Sequence, residues 1–136
     1  MENNQPTLAE DIKSYTDWII NAMSTSGYKL DFSLDSMKEV DRFFDEQNKP
    51  GGILNPQNRG SIMFAIGSYI GESVIKMFGG EWITDDNDPQ GETNIAVKTA
   101  NGTLICPVQR CIKRLLNGDE DSIYAYVYAL KVYAEK

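Results

Sequence analysis

The chain has 136 residues, 41% hydrophobic and 24% charged, the make-up of one folded soluble domain. Its 13 Lys and Arg face 20 Asp and Glu, a formal charge of −7, which argues against a nucleic-acid binder, since phosphate contacts need a basic face. There is no histidine, which removes the commonest general base and most catalytic zinc sites.

Residues 1–6 carry no basic start and no apolar run, so they read as a flexible tail and not as a signal peptide. Thr7-Leu8-Ala9-Glu10 is a capping box, in which Thr and Glu each satisfy an orphan amide. Leu8, Ile12, Tyr15, Ile19 and Ala22 then mark one face of a helix, which Gly27 is suited to end in a left-handed cap. Tyr28, Leu30 and Phe32 alternate with Lys29 and Asp31, the pattern of a short extended segment at a sheet edge. Ser33 or Ser36 caps a second helix, with Ser36 and Glu39 as a second box and Met37, Val40, Phe43 and Phe44 inward.

Asn48-Lys49-Pro50-Gly51-Gly52 breaks the chain, and Asn55-Pro56 starts the longest helix, over 56–78. That helix is apolar on most sides, so it belongs at the centre of the domain. Glu72 and Lys76 interrupt its apolar run, which argues against a membrane span. Gly67 and Gly71 each cost about 1 kcal/mol against alanine in a helix, so something packs very close to them. Residues 82–84, 95–99 and 103–106 read as strands, and Asn101-Gly102 between the last two signals a hairpin. Pro107 opens a helix with Val108, Cys111, Ile112, Leu115 and Leu116 inward. In the tail, Tyr124, Tyr126 and Tyr128 alternate as a strand would. Ile123, Val127 and Leu130 at helical spacing, behind Asp119, Glu120 and Asp121, favour a helix. The expected fold is a helix-rich α+β single domain, its long central helix packed on a small antiparallel sheet with a β-hairpin.

The chemistry is sparse. Cys106 and Cys111 cannot close a zinc site by themselves and suggest no disulfide framework, so the cytoplasm is the expected compartment. Cys106 precedes a helix N-terminus, where a thiolate is favoured, although both cysteines also suit small buried positions. Asp85, Asp86 and Asp88 in the loop 85–92 partly match a calcium loop, but Val97 falls where the bidentate glutamate belongs. No metal and no cofactor is expected. Glu72 is the one carboxylate placed to be a buried proton-transfer group, but its place four residues before Lys76, on the least apolar side of the helix, favours an exposed helix pair. Trp82 and Trp18 with the tail tyrosines suit either a contact surface or the core.

Four segments occur in a familiar order: Leu30-Asp31-Phe32-Ser33-Leu34-Asp35-Ser36-Met37, Gly67-Ser68-Tyr69-Ile70-Gly71-Glu72, Gly79-Gly80-Glu81-Trp82, and Cys106-Pro107-Val108-Gln109-Arg110-Cys111-Ile112-Lys113. Together they resemble a group of small, uncharacterised bacterial domains of unknown function. The resemblance implies an order of elements and carries no catalytic residues. In size and charge the chain is also similar to immunity proteins that neutralise bacterial toxins.

The expected function is a non-catalytic protein-binding module, its acidic loop residues Asp85, Asp86 and Asp88 meeting a basic protein partner. The alternative is a small-molecule-binding domain with a pocket between the long helix and the sheet, near Gly71, Glu72 and Trp82. An enzyme acting through Glu72 ranks third. Neither a nucleic acid nor a membrane is an expected partner, and the oligomeric state is left open.

Overall fold

A computed structural model describes residues 5–135, so most of the expected tail over 1–6 lies outside the described residues. Six α-helices and a three-stranded antiparallel sheet are found among them. The elements run α1 (Leu8–Thr25), α2 (Ser36–Gln47), α3 (Arg59–Phe78), β1 (Gly80–Ile83), α4 (Gly91–Asn94), β2 (Ala96–Thr99), β3 (Leu104–Ile105), α5 (Pro107–Asn117) and α6 (Ile123–Ala134). A 3₁₀ turn over Gly118–Asp121 links α5 to α6.

Three of the local start and stop signals act as the sequence predicts. The Thr7 hydroxyl accepts from the Glu10 amide, and Glu10 accepts from the Thr7 amide at 3.0 Å. At the other end of α1, Gly27 takes φ +91°, and the amides of Gly27 and Tyr28 reach back to the carbonyls of Ser24 and Met23. These two bonds together form a Schellman cap. The hairpin between β2 and β3 closes through Ala100, Asn101 and Gly102, with the Thr99 amide donating to the Thr103 carbonyl at 2.8 Å and Gly102 at φ +90°.

α3 is the centre. Residues from Ile62 through Gly71 are buried without a break, and α1, α5 and the sheet all pack on the helix. α2 lies against α6. Both interior glycines of α3 mark close approaches. A Cβ on Gly71 would stand 2.1 Å from the Trp82 ring, and one on Gly67 would stand 2.9 Å from Val108 backbone atoms. The regular helix begins at Arg59, later than the predicted start at Pro56. The Asn55 side chain accepts from the amides of Gln57 and Asn58, which holds 56–58 as a turn ahead of the helix.

Three expectations are corrected. The segment 28–32 is not a strand, although Tyr28 and Leu30 do point inward. Two of its amides are taken by side chains instead: Lys29 donates to Glu39 at 3.0 Å and Phe32 to the Tyr69 hydroxyl at 2.9 Å. Glu39 is thereby drawn away from the predicted Ser36–Glu39 box, and the Ser33 hydroxyl accepts from the Ser36 amide in its place. On α5, Leu116, expected inward, is exposed, and Arg114 is buried. Asp41, Asp45 and Asp119 surround the Arg114 guanidinium at 2.8, 2.7 and 3.3 Å.

The tail is a helix. Its N-terminal amides are satisfied by Asp41 of α2, which accepts from the amides of Ile123 and Tyr124. The acidic run 119–121 falls instead in the preceding 3₁₀ turn.

Phe32 has φ +65°, in the left-handed region, where a non-glycine residue costs about 1–3 kcal/mol unless its surroundings hold it. Tyr69 does so. Its ring stacks on Phe32 at 5.3 Å, and its buried hydroxyl takes the Phe32 amide and bonds the Ser36 hydroxyl at 2.6 Å. Tyr69→Phe would strand the Phe32 amide. It is expected to lower unfolding free energy by about 1–2 kcal/mol in urea titrations. An unchanged midpoint would show that the hydroxyl is not what holds the turn.

Candidate functional site

The aspartate carboxylates of the acidic loop are occupied with partners inside the chain. Asp86 accepts from the Leu8 amide at 2.8 Å and so ties the loop to the start of α1. Asp85 accepts from the Asn87 amide, while Asp88 accepts from the Gln90 amide and the Asn94 side chain. The Asn94 hydrogen bond leads the effects that hold the Asp88 carboxyl below its ordinary range. No group of three or more metal-ligating side chains occurs among the described residues.

The gap expected beside Gly71 and Trp82 is filled by the Trp82 indole, whose ring lies against the Gly71 backbone. Its Nε1 is buried without a hydrogen-bond partner. Cys111 is fully buried, and that burial pushes its thiol pKa well up, whereas Cys106 is half-buried just before α5. Along the tail, Tyr126 lies under the Arg110 guanidinium at 4.1 Å, Tyr124 stacks on Tyr128, and Tyr128 is exposed.

Glu72 is half-buried and makes no ion pair with Lys76, so the expected helix pair does not form. The Lys76 ammonium is held elsewhere, 4.8 Å from the centre of the Phe32 ring. Glu72 and Lys76 instead share a small hollow with Lys13, Thr16 and Asp17 of α1.

A larger concavity lies in none of these places. A groove of 510 Å³ runs between α1, the end of α2 and the segment leading into α3. Ile19, Met23, Phe43 and Ile62 are its buried floor, and Trp18 and Ile53, each 49% exposed, stand on its flanks. Polar contacts come from the amides of Gln47, Gln57 and Asn58 and the hydroxyls of Ser26, Ser61 and Tyr28. No side chain in that lining carries a formal charge.

Local contacts explain the shape. Gln47, the last residue of α2, folds the following loop back on itself. Its carbonyl accepts from the Leu54 amide at 3.3 Å and its side chain from the Ile53 amide at 3.2 Å. Gly52 makes this possible, since a Cβ there would fall 2.0 Å from the Gln47 carbonyl oxygen. Ile53 is thereby set on the groove that Trp18 also lines. Tyr28 is fixed from behind by Glu46, to which its hydroxyl donates at 2.5 Å, and by Arg42, stacked on its ring at 4.3 Å. Burial leads the effects that push the Tyr28 hydroxyl pKa up.

Sequence reasoning reached Trp18 and Glu72 as residues of interest but missed Ile53 and Thr16. Ile53 sits in a run that reads only as a breaker. Thr16 lies on the buried face of α1, four residues after Ile12 and three before Ile19, but its polar side chain does not mark it as inward. Compared with protein-family models, with curated proteins and with solved structures, the chain matches none.

Proposed function

We propose that the protein is a non-catalytic binding module that takes up a small, uncharged, largely apolar molecule in the groove between α1, α2 and α3. The observation that carries this reading is an uncharged groove of 510 Å³ on a chain of formal charge −7. Its volume lies within the roughly 300–1,000 Å³ of small-molecule sites, and its mix of apolar walls with a few polar groups is theirs as well. An acidic protein repels anionic ligands, and no cation in the lining offsets that field, so a fatty-acid carboxylate is disfavoured. The half-exposed faces of Trp18 and Ile53 are apolar surface that a ligand would remove from water, at about 25 cal/mol per Å².

The neutral dye N-phenyl-1-naphthylamine tests this. Its fluorescence is expected to rise on binding, with a blue shift of Trp18 emission, while the anionic 8-anilinonaphthalene-1-sulfonate binds more weakly. Ala22 is exposed and lines the groove, so Ala22→Trp fills the space without entering the core. Dye uptake unchanged in that variant would place the dye elsewhere and remove the groove from contention.

The charge of −7 favours a second reading, a protein partner with a basic face drawn in by long-range attraction. Such a partner would be held at low salt and released at high salt. Retention that ignores salt would count against it.

A further inference from the structure

The small hollow that contains Glu72 has a different chemistry from the groove. Its volume is 180 Å³, about six times a water molecule's share of liquid volume. Lys13 and Asp17 line it from α1, Glu72 and Lys76 from α3, and Phe32 from the turn before α2. Lys13 and Asp17 are four residues apart on their helix, as are Glu72 and Lys76 on theirs, a spacing at which ion pairs can close. None of these four forms one with another.

The wall of the hollow also holds an unsatisfied polar group. Thr16 is 3% exposed, and its Oγ1 has no hydrogen-bond partner. Native proteins seldom leave a buried hydroxyl unpaired. Phe32, across the hollow, is kept at φ +65° by Tyr69, and residues held in that way cluster at ligand clamps.

We propose that this hollow binds a small zwitterion of the amino-acid type. Two ammonium groups and two carboxylates line it without pairing, so the site is dipolar and close to neutral. A net anion or a net cation would meet as much repulsion as attraction. A molecule that carries both a carboxylate and an ammonium can satisfy Lys13 or Lys76 with one end and Asp17 or Glu72 with the other. The volume limits it to amino-acid size. The Phe32 ring gives it one aromatic wall, and the Thr16 hydroxyl gains a partner by turning about χ1 toward the ligand, the two-rotamer freedom that threonine has in a helix. This site is separate from the groove, so the proposal stands independently of the function proposed above.

Thermal unfolding of the intact chain tests it, with each proteinogenic amino acid and glycine betaine added singly at millimolar concentration. Acetate and ethylamine, each carrying one of the two charges, are the controls. At least one zwitterion is expected to raise Tm where the same concentration of acetate or ethylamine does not. Glu72→Gln and Lys76→Met are each expected to weaken that ligand about tenfold by titration calorimetry, the loss of one charge-assisted bond. Thr16→Val removes the unpaired hydroxyl. It is expected to raise Tm without ligand and to lower affinity. Ala22→Trp, which fills only the groove, is expected to leave the shift intact. No shift with any zwitterion would overturn the proposal, as would a shift that survives in the Glu72→Gln, Lys76→Met double variant.

Discussion

Asp41→Ala is expected to cost about 3–5 kcal/mol of unfolding free energy, more than most substitutions at a position that is not wholly buried. Each oxygen of this carboxylate does two tasks. Oδ1 accepts from Arg114 Nε at 2.8 Å and from the Ile123 amide at 2.9 Å. Oδ2 accepts from the Ser122 hydroxyl at 2.8 Å and from the Tyr124 amide at 3.0 Å. The side chain is thus both the partner of a buried cation and the cap of a helix whose own flank supplies only Ser122. Without it, Arg114 keeps Asp45 and Asp119, but these are 57% and 88% exposed and hold their charges largely in water. The first amides of α6 lose their acceptor, and the positive end of the helix dipole loses its counter-charge. For a chain of this length, that loss corresponds to a Tm drop of roughly 10–20 °C.

Arg114→Met is the telling comparison. It removes the buried cation, fills a similar volume, and leaves Asp41 with three donors. Its cost is therefore expected to be the smaller of the two. Equal losses from the two substitutions in urea unfolding would mean that capping α6 adds nothing, and that Asp41 serves only as a counter-ion.

The parts of the fold that were legible in the sequence are those whose cause is local. The Thr7–Glu10 box, the Gly27 cap and the Asn101-Gly102 hairpin are each complete within a few residues, and each forms as expected. The central position of α3 was legible from its apolar composition, and its two glycines from their cost. The misreadings share a different cause. Phe32 leaves the extended region because its amide bonds Tyr69, 37 residues away, and Arg114 turns inward because Asp41 waits 73 residues away. Burial of Arg114 rotates α5, which is why Leu116, apolar and at helical spacing, ends in solvent.

The sites follow the same rule. Both concavities are walled by segments far apart in the sequence, and no periodicity reports a space between them. Trp18 stood out as an aromatic suited to a contact surface or to the core, and Glu72 as a carboxylate in an apolar helix. Neither pattern could reveal Ile53 or Thr16 opposite them. The acidic loop shows the converse: its charge was evident, but its bond to Leu8, 78 residues away, depends on tertiary placement.

Gly67→Val is expected to lower stability by about 3 kcal/mol, against about 2 kcal/mol for Gly67→Ala, and the reason lies in what the new atoms meet. A Cβ at this position falls 2.6 Å from Val108 Cγ2 and 2.9 Å from both the Cα and the N of Val108. A side-chain methyl can turn aside, whereas the first turn of α5 cannot move without disturbing the Pro107 start and the sheet behind it. The gain in helix propensity on replacing glycine by alanine, about 1 kcal/mol, offsets only part of that overlap. Gly60, in the first turn of the same helix, separates the two effects. Nothing lies within 4 Å of a Cβ there, so Gly60→Ala should stabilise by up to about 1 kcal/mol. In the double variant Gly67→Ala, Val108→Ala, the 2.6 Å contact disappears while the two backbone contacts remain. Recovery is therefore expected to be partial. Full recovery in guanidinium unfolding would show that α5 can shift after all, and that the close approach of α3 and α5 is set by the Val108 side chain and not by the backbone.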